Sequence, residues 1–266
     1  MKEIESDSNP LFSEERKNEI VKLVNTRGKV LVPELVTHFN VSPATIRNDL
    51  RDLETLRLIK RAHGGAISIE TPKVGFEQFH QEKMVENIDQ KRLIAKAASK
   101  LIEEGDIIIL DTGTTTLELA KILDDINITV LVNDIDIARH LEDYKNIQVV
   151  LIGGNLRKKF RSTIGPFALK MLSDINVDKV FLAANGFSFN RGCTTPDINQ
   201  AEIKKKFVEI SNDAILLCDS SKIGKNSFVQ FAAPSEITTL ITDQGIKQTD
   251  LEQISDLGTK VIVTKG

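Results

Sequence analysis

From residue 91 onward, short aliphatic runs alternate with helical patterns. This alternation constrains the fold more than any other feature of the 266-residue chain. Strands are expected at 107–110 (IIIL), 128–132 (ITVLV), 147–152 (IQVVLI), 179–183 (KVFLA), 214–218 (AILLC), 240–242 and 260–263. Helices fit 115–123, 136–141, 167–172, 200–208 and 249–254, and a longer one, QKRLIAKAASKLIEEGD, precedes the first strand and is ended by Gly105. Strands alternating with helices build a mostly parallel sheet covered on both faces, an α/β fold.

Ligands of such sheets bind outside the carboxyl ends of the strands, so the residues after each strand are the candidates. After the first comes DTGTTT, in which Gly113 permits a tight turn beside Asp111. Thr114, Thr115 and Thr116 bring three hydroxyls to the start of a helix, a good phosphate cradle, although an ordinary N-capped helix reads the same way. Asn133 follows the second strand. Gly153 and Gly154 follow the third and let the backbone approach a ligand. Arg157 opens the basic loop RKKFR; at most one or two of its cations point inward, and otherwise the loop is solvated. Asn185, Arg191 and Glu202 follow the fourth strand, Asp219 and Lys222 the fifth. Together these groups describe one polar, anion-tolerant pocket.

The first sixty-odd residues follow another plan. Between Arg16 and Arg61 stand ten Lys/Arg against five Asp/Glu, on a chain whose net charge is -3. A basic block on an otherwise acidic chain fits a phosphate-binding module. Ile20, Val21, Leu23 and Val24 mark a first helix, ended by Gly28, and Leu35, Val36 and Phe39 a short second one. Ser42 is a suitable N-cap, with Pro43 at the first position of a third helix. Ile46, Leu50 and Leu53 form its core stripe. This is helix-turn-helix order. Arg47 and Asn48 are residue types that read guanine and adenine, while Ser42, Thr45 and Arg51 suit contacts to the duplex. LRLIKRAHGGAISI then reads as a β-ribbon, or wing, with Lys60, Arg61 and His63 near the DNA backbone. The alternative is a three-helix scaffold whose Asp49, Asp52 and Glu54 pair with the arginines within the helix.

The stretch from Arg16 to the Gly64–Gly65 turn resembles the winged helix-turn-helix of the DeoR family of bacterial transcription regulators, through its first-helix Arg16 and the block TIRNDL at Thr45 to Leu50. Asn48 stands where that family often has a basic residue, which tilts preference toward adenine. LDTGTTTLELA, GGNLR, RGCTT and CDSSK resemble the family's effector domain, itself related to ribose-5-phosphate isomerase. The resemblance implies a repressor of a sugar-catabolism operon, released from double-stranded operator DNA by a phosphorylated sugar. It implies that Thr114–Thr116 hold the phosphate, that Asp111 and Gly113 shape the loop, and that Glu202, Asp219 and Lys222 line the sugar end. A sugar-phosphate isomerase with a DNA-binding appendage is the alternative. Asn185-Gly186-Phe187-Ser188 stands where the isomerase has two aspartates around a glycine, however, and neither Asn nor Ser can act as the base. No enzymatic activity is therefore expected.

The expected organisation is an acidic tail (1–15), a small N-terminal winged helix-turn-helix domain (16–69), a linker (70–90) and a larger effector domain (91–266). One winged domain buries too little DNA for tight specific binding, so a homo-oligomer, dimer or tetramer, is expected. Cys193 and Cys218 form no metal-ligand cluster and no disulfide framework, consistent with a reducing, cytoplasmic setting. No cofactor, metal, signal peptide or membrane span is expected.

Overall fold

The computed structural model describes residues 13–56, 58–62, 64–68, 77 and 80–265. The chain divides into two units, Met1–Lys73 and Val74–Gly266.

In the first unit, α1 (Ser13–Arg27) stops where Gly28 takes a φ of 72°, a left-handed value that glycine adopts without a Cβ clash. A short strand, β1 (Lys29–Leu31), leads into α2 (Val32–Phe39), and Asn40 (φ 51°) turns the chain toward α3 (Pro43–Thr55). The Ser42 side chain caps α3, accepting from the Thr45 amide at 3.1 Å. β2 (Ile59–Ala62) and β3 (Gly65–Ser68) form the expected hairpin, and β1 adds to it in the order β1-β3-β2. Strand β1 was not foreseen: three residues with a single buried one, Val30, carry too little alternation to read. A Cβ on Gly65 would run into the Val30 carbonyl oxygen, so glycine is what lets β1 lie this close. Ile20, Val24, Leu35, Phe39, Ile46, Leu50, Leu53 and Ile59 fill the core.

The second unit opens with α4 (His80–Val85) and α5 (Ile88–Ser99). The expected helix continued to Gly105, but α5 ends at Ser99. The amides of Leu101 and Ile102 bond back only three residues, to Ala98 and Ser99, which tightens the chain so that it can turn into the sheet. There follow β4 (Ile107–Leu110), α6 (Thr114–Ala120), β5 (Ile128–Val132), α7 (Ile135–Leu141), β6 (Ile147–Leu151), the hairpin β7 (Asn155–Arg157) and β8 (Ser162–Ile164), and α8 (Pro166–Met171). The chain continues through β9 (Val177–Ala183), β10 (Gly186–Ser188), β11 (Gly192–Thr195), α9 (Ile198–Glu209), β12 (Ser211–Leu217), β13 (Val229–Ala232), β14 (Thr239–Asp243), α10 (Gln248–Asp256) and β15 (Lys260–Thr264).

All seven expected strands lie in one wholly parallel sheet, ordered β15-β14-β12-β9-β4-β5-β6. Successive side chains of a strand face opposite sides, so each strand feeds two cores. Ile108, Leu110, Ile215 and Leu217 pack with Ile94, Ala98 and Leu119 of α5 and α6. Ile109, Ala214, Leu216 and Leu240 pack with Ala168, Ile203 and Phe207 of α8 and α9. Both faces are buried, which is why these strands read as unbroken apolar runs. Strand order reverses between β4 and β9, and ligands of open α/β sheets bind at such a switch point.

Candidate functional site

In the first unit the stripe Ile46, Leu50, Leu53 turns inward and leaves Arg47, Asn48 and Arg51 exposed on α3. The acidic residues of that helix do not pair with its arginines, as the alternative reading had them do. Asp49 is buried and takes a two-pronged bond from Arg16 of α1, Nε to Oδ2 at 2.6 Å and a terminal nitrogen to Oδ1 at 3.2 Å. That bond holds the guanidinium above its ordinary pKa. Asp52 meets Lys17 at 2.8 Å. Glu54 accepts from the Arg61 amide at 2.8 Å and lies 3.9 Å from its guanidinium. All three acids are thus engaged by residues outside α3. Among the described residues, Arg47 and Arg51 have no acidic partner. The Ser42 and Thr45 hydroxyls bond each other at 2.8 Å, which leaves one O–H of the pair to donate outward. Lys60 and Arg61 are exposed on the wing strand β2; His63 lies outside the described residues.

In the second unit the carboxyl ends of three neighbouring strands, β4, β9 and β12, carry the polar groups. Asp111, at the end of β4, is fully buried. Its Oδ2 accepts from the Ala183 amide of β9 at 2.9 Å and from the ammonium of Lys204, which also donates to the Ala183 carbonyl at 2.9 Å. Its Oδ1 has no hydrogen-bond partner among the described residues. Burial pushes the Asp111 carboxyl up, against the pull of Lys204. At the end of β12, Asp219 accepts from Asn87 at 3.1 Å and from the Ser221 hydroxyl, with the Lys222 ammonium at 3.3 Å. Burial alone would raise the Asp219 carboxyl, but Lys222, Ser221 and Lys91 outweigh it and hold it low.

Thr114, Thr115 and Thr116 form the first turn of α6 rather than a loop before it, and all three are buried. The Thr116 hydroxyl is spent on the Gly113 carbonyl at 2.8 Å. Gly113 is extended, with φ 166°, so no tight turn needs it. Glycine stands there for space, since a Cβ would come within 2.7 Å of the Ala183 Cβ. Asn133 is fully buried and uses both ends of its amide internally, accepting from the Thr112 amide and donating to the Thr163 carbonyl. The neighbouring Asp134 is pushed up to about 6, chiefly by burial, while it caps α7 and accepts from the Thr112 hydroxyl at 2.7 Å.

The glycine pair also serves packing. Gly154 has φ 142°, and a Cβ there would sit 2.5 Å from the Ile164 carbonyl oxygen, so the close backbone is that of the β7–β8 hairpin. Gly153 lies against Met171. Arg157 turns inward to Glu77 at 2.6 Å and Asp197 at 3.6 Å and stacks over Phe160. Asn185 accepts from Thr195 at 3.3 Å. Arg191 is exposed in the turn between β10 and β11, and Glu202 is exposed on α9. The residue of α9 that reaches Asp111 is Lys204, which the sequence reading missed. It sits between Ile203 and Phe207 on the apolar face, and a lysine on such a face is the signal that marks it. Lys83, Asn87 and Lys91 were missed as well, because they fall in and beside a stretch of weak periodicity. Asn87 adopts φ 51° and donates to Asp219 and Ser221, joining the α4–α5 corner to the end of β12.

A winged helix-turn-helix unit and a parallel α/β unit with lysine–aspartate pairs beside its switch point define a DNA-binding regulator with a sensor domain. Residues 16–72 match the DeoR-like helix-turn-helix domain, and residues 86–244 match the DeoR C terminal sensor domain. The chain is 39% identical to the HTH-type transcriptional regulator GlpR of Haloferax volcanii, over 93% of this chain and 96% of that protein. It is 37% identical to the lactose phosphotransferase system repressor of Streptococcus mutans, over 86% of this chain and 92% of that one. The ribose 5-phosphate isomerase A structure from Methanocaldococcus jannaschii overlays 52% of this chain and 55% of its own, at 20% identity and a TM-score of 0.39. The chain belongs to the DeoR family of transcriptional regulators, and it is a regulator rather than an enzyme. No helix among the described residues is long and apolar enough to cross a membrane.

Proposed function

We propose that this regulator is a cytoplasmic repressor of a sugar-catabolism operon, acting as a homo-oligomer and leaving its operator when a phosphorylated sugar binds the second unit. The observation that carries the reading is the pairing of Asp111 with Lys204 and of Asp219 with Lys222 beside the switch point. The buried Asp111 Oδ1 still needs a donor, and a sugar hydroxyl supplies one. The lysines offer positive charge to a phosphate. The names of the H. volcanii and S. mutans relatives, both transcription regulators and one a lactose-system repressor, favour a sugar-linked operon. On the DNA side, Arg47 and Asn48 read base edges, and Ser42, Thr45, Arg51, Lys60 and Arg61 meet the backbone.

Release requires that the effector bind the DNA-free conformation more tightly. Linkage then requires operator DNA to weaken effector binding by the same factor. The test is a titration with a panel of sugar phosphates and their free sugars, using an operator duplex selected by the protein from random sequence. At least one sugar phosphate should release the DNA while its free sugar does not, and saturating operator should lower affinity for that compound equally. If no sugar phosphate changes operator affinity, the reading is wrong.

A further inference from the structure

The cations around Asp219 are not equally compensated. Lys204 is held by Asp111 and the Ala183 carbonyl, and Lys222 by Asp219. The Lys91 ammonium donates to the Lys83 and Glu86 carbonyls. Of the two lysines without a close carboxylate, Lys91 is buried, and Lys83 of α4 is the one that reaches the surface. Its side chain is 27% exposed, and among the described residues the acid that reaches its ammonium is Glu77, at 3.6 Å. Glu77 in turn gives its other carboxylate oxygen to Arg157 at 2.6 Å, so the carboxylate is shared. Burial, opposed by Glu77 and helped by the charges of Lys222 and Lys204, brings the Lys83 ammonium down to about 8. The Lys83 carbonyl accepts from Lys91, and Asn87, four residues on, donates to Asp219, so Lys83 belongs to the same end of the sheet as the carboxyl end of β12.

We propose that Lys83 is an effector-binding residue: with Lys222 it clamps the anionic group of the effector, and Glu77 is the internal carboxylate which that group displaces. The proposal rests on reading this unit as a sugar-phosphate sensor and adds to it a residue outside the strand-end loops. A phosphate dianion compensates Lys83 more fully than the shared Glu77 does, and Lys222, paired with Asp219 at 3.3 Å, can donate a further N–H to it. Since Glu77 also holds Arg157 of β7, its displacement frees the fourth residue of the second unit.

The experiment uses the full-length protein and inorganic phosphate, with sodium chloride at matched ionic strength as the screening control. Loss of one charge-assisted contact should lower phosphate affinity about tenfold or more in Lys83→Gln, and Lys83→Arg should restore most of it. Glu77→Gln should act in the opposite direction and raise affinity, because the competitor has lost its charge. Phosphate is already dianionic above neutral pH, so wild-type affinity should fall as Lys83 deprotonates through about 8, and Lys83→Gln should show a flatter profile. Each protein's thermal unfolding is recorded to confirm that it is folded. If wild type binds phosphate and Lys83→Gln binds it equally well with the same pH profile, the clamp is overturned while the sensor reading stands. If wild type binds neither phosphate nor any sugar phosphate, both fall.

Discussion

Asp49 is a charged residue of α3 that serves the core of the first unit. On sequence it is one more charge beside Arg47 and Arg51. In the fold it is 4% exposed and neutralises Arg16 of the first helix through two bonds. Removing one partner of a buried pair strands the other charge, so Asp49→Ala should destabilise the protein by about 3–5 kcal/mol. The double change Arg16→Met/Asp49→Leu, which strands neither, should cost much less. Denaturant titration of the three variants checks this; equal losses for Asp49→Ala and the double variant would show that the stranded charge is not the cause. Lys204 is the counterpart in the second unit. Nothing in AEIKKKF tells which of three consecutive lysines is buried until its phase against Ile203 and Phe207 is considered.

At the scale of elements, α3 and the wing divide the DNA-facing groups. A helix capped by Ser42 and begun by Pro43, with one apolar stripe, has little choice of which face it shows, and Arg47, Asn48 and Arg51 are on that face. Arg47→Ala should cost about 1–3 kcal/mol on the operator and little on random DNA, as expected for a base reader. Lys60→Ala should weaken both and reduce the slope of log affinity against log salt by about one unit, as for one lost phosphate contact. Arg61→Ala should change that slope less, because Glu54 already offsets part of its charge. Binding isotherms at several salt concentrations on both duplexes decide it. If Arg47→Ala and Lys60→Ala behave alike on both DNAs, the division between reader and clamp fails. The strands sequence reading missed, β1, β7, β8, β10, β11 and β13, are three or four residues long. Segments that short carry too few alternations for a period to emerge.

At the scale of the whole molecule, each unit has its own buried core, one in the first and two in the second. A unit with its own core can fold alone. The fragment Val74–Gly266 should therefore fold cooperatively and bind phosphate within about twofold of the intact chain when no DNA is present. Calorimetry and phosphate titration of the fragment check both points. An unfolded fragment, or one that has lost phosphate binding, would show that the first unit helps to build the site.

Sequence alone determined the class of this protein. Parallel strands buried on both faces must be continuous apolar runs, so 107–110 and 128–132 were readable residue for residue as β4 and β5. A capped helix with a stripe and a basic face could be read locally for the same kind of reason. Tertiary structure decided how the charges pair. Asp111 meets Lys204 across 93 positions, Arg157 meets Glu77 across 80, and Arg16 meets Asp49 across 33. It also decided that Gly113 and Gly154 serve packing, and that Lys83 stands under-compensated beside Lys222. A period along the chain records which face of an element is buried. The strength of a charge pair depends on a few ångströms between atoms that the fold alone brings together, and that distance leaves no mark on local sequence.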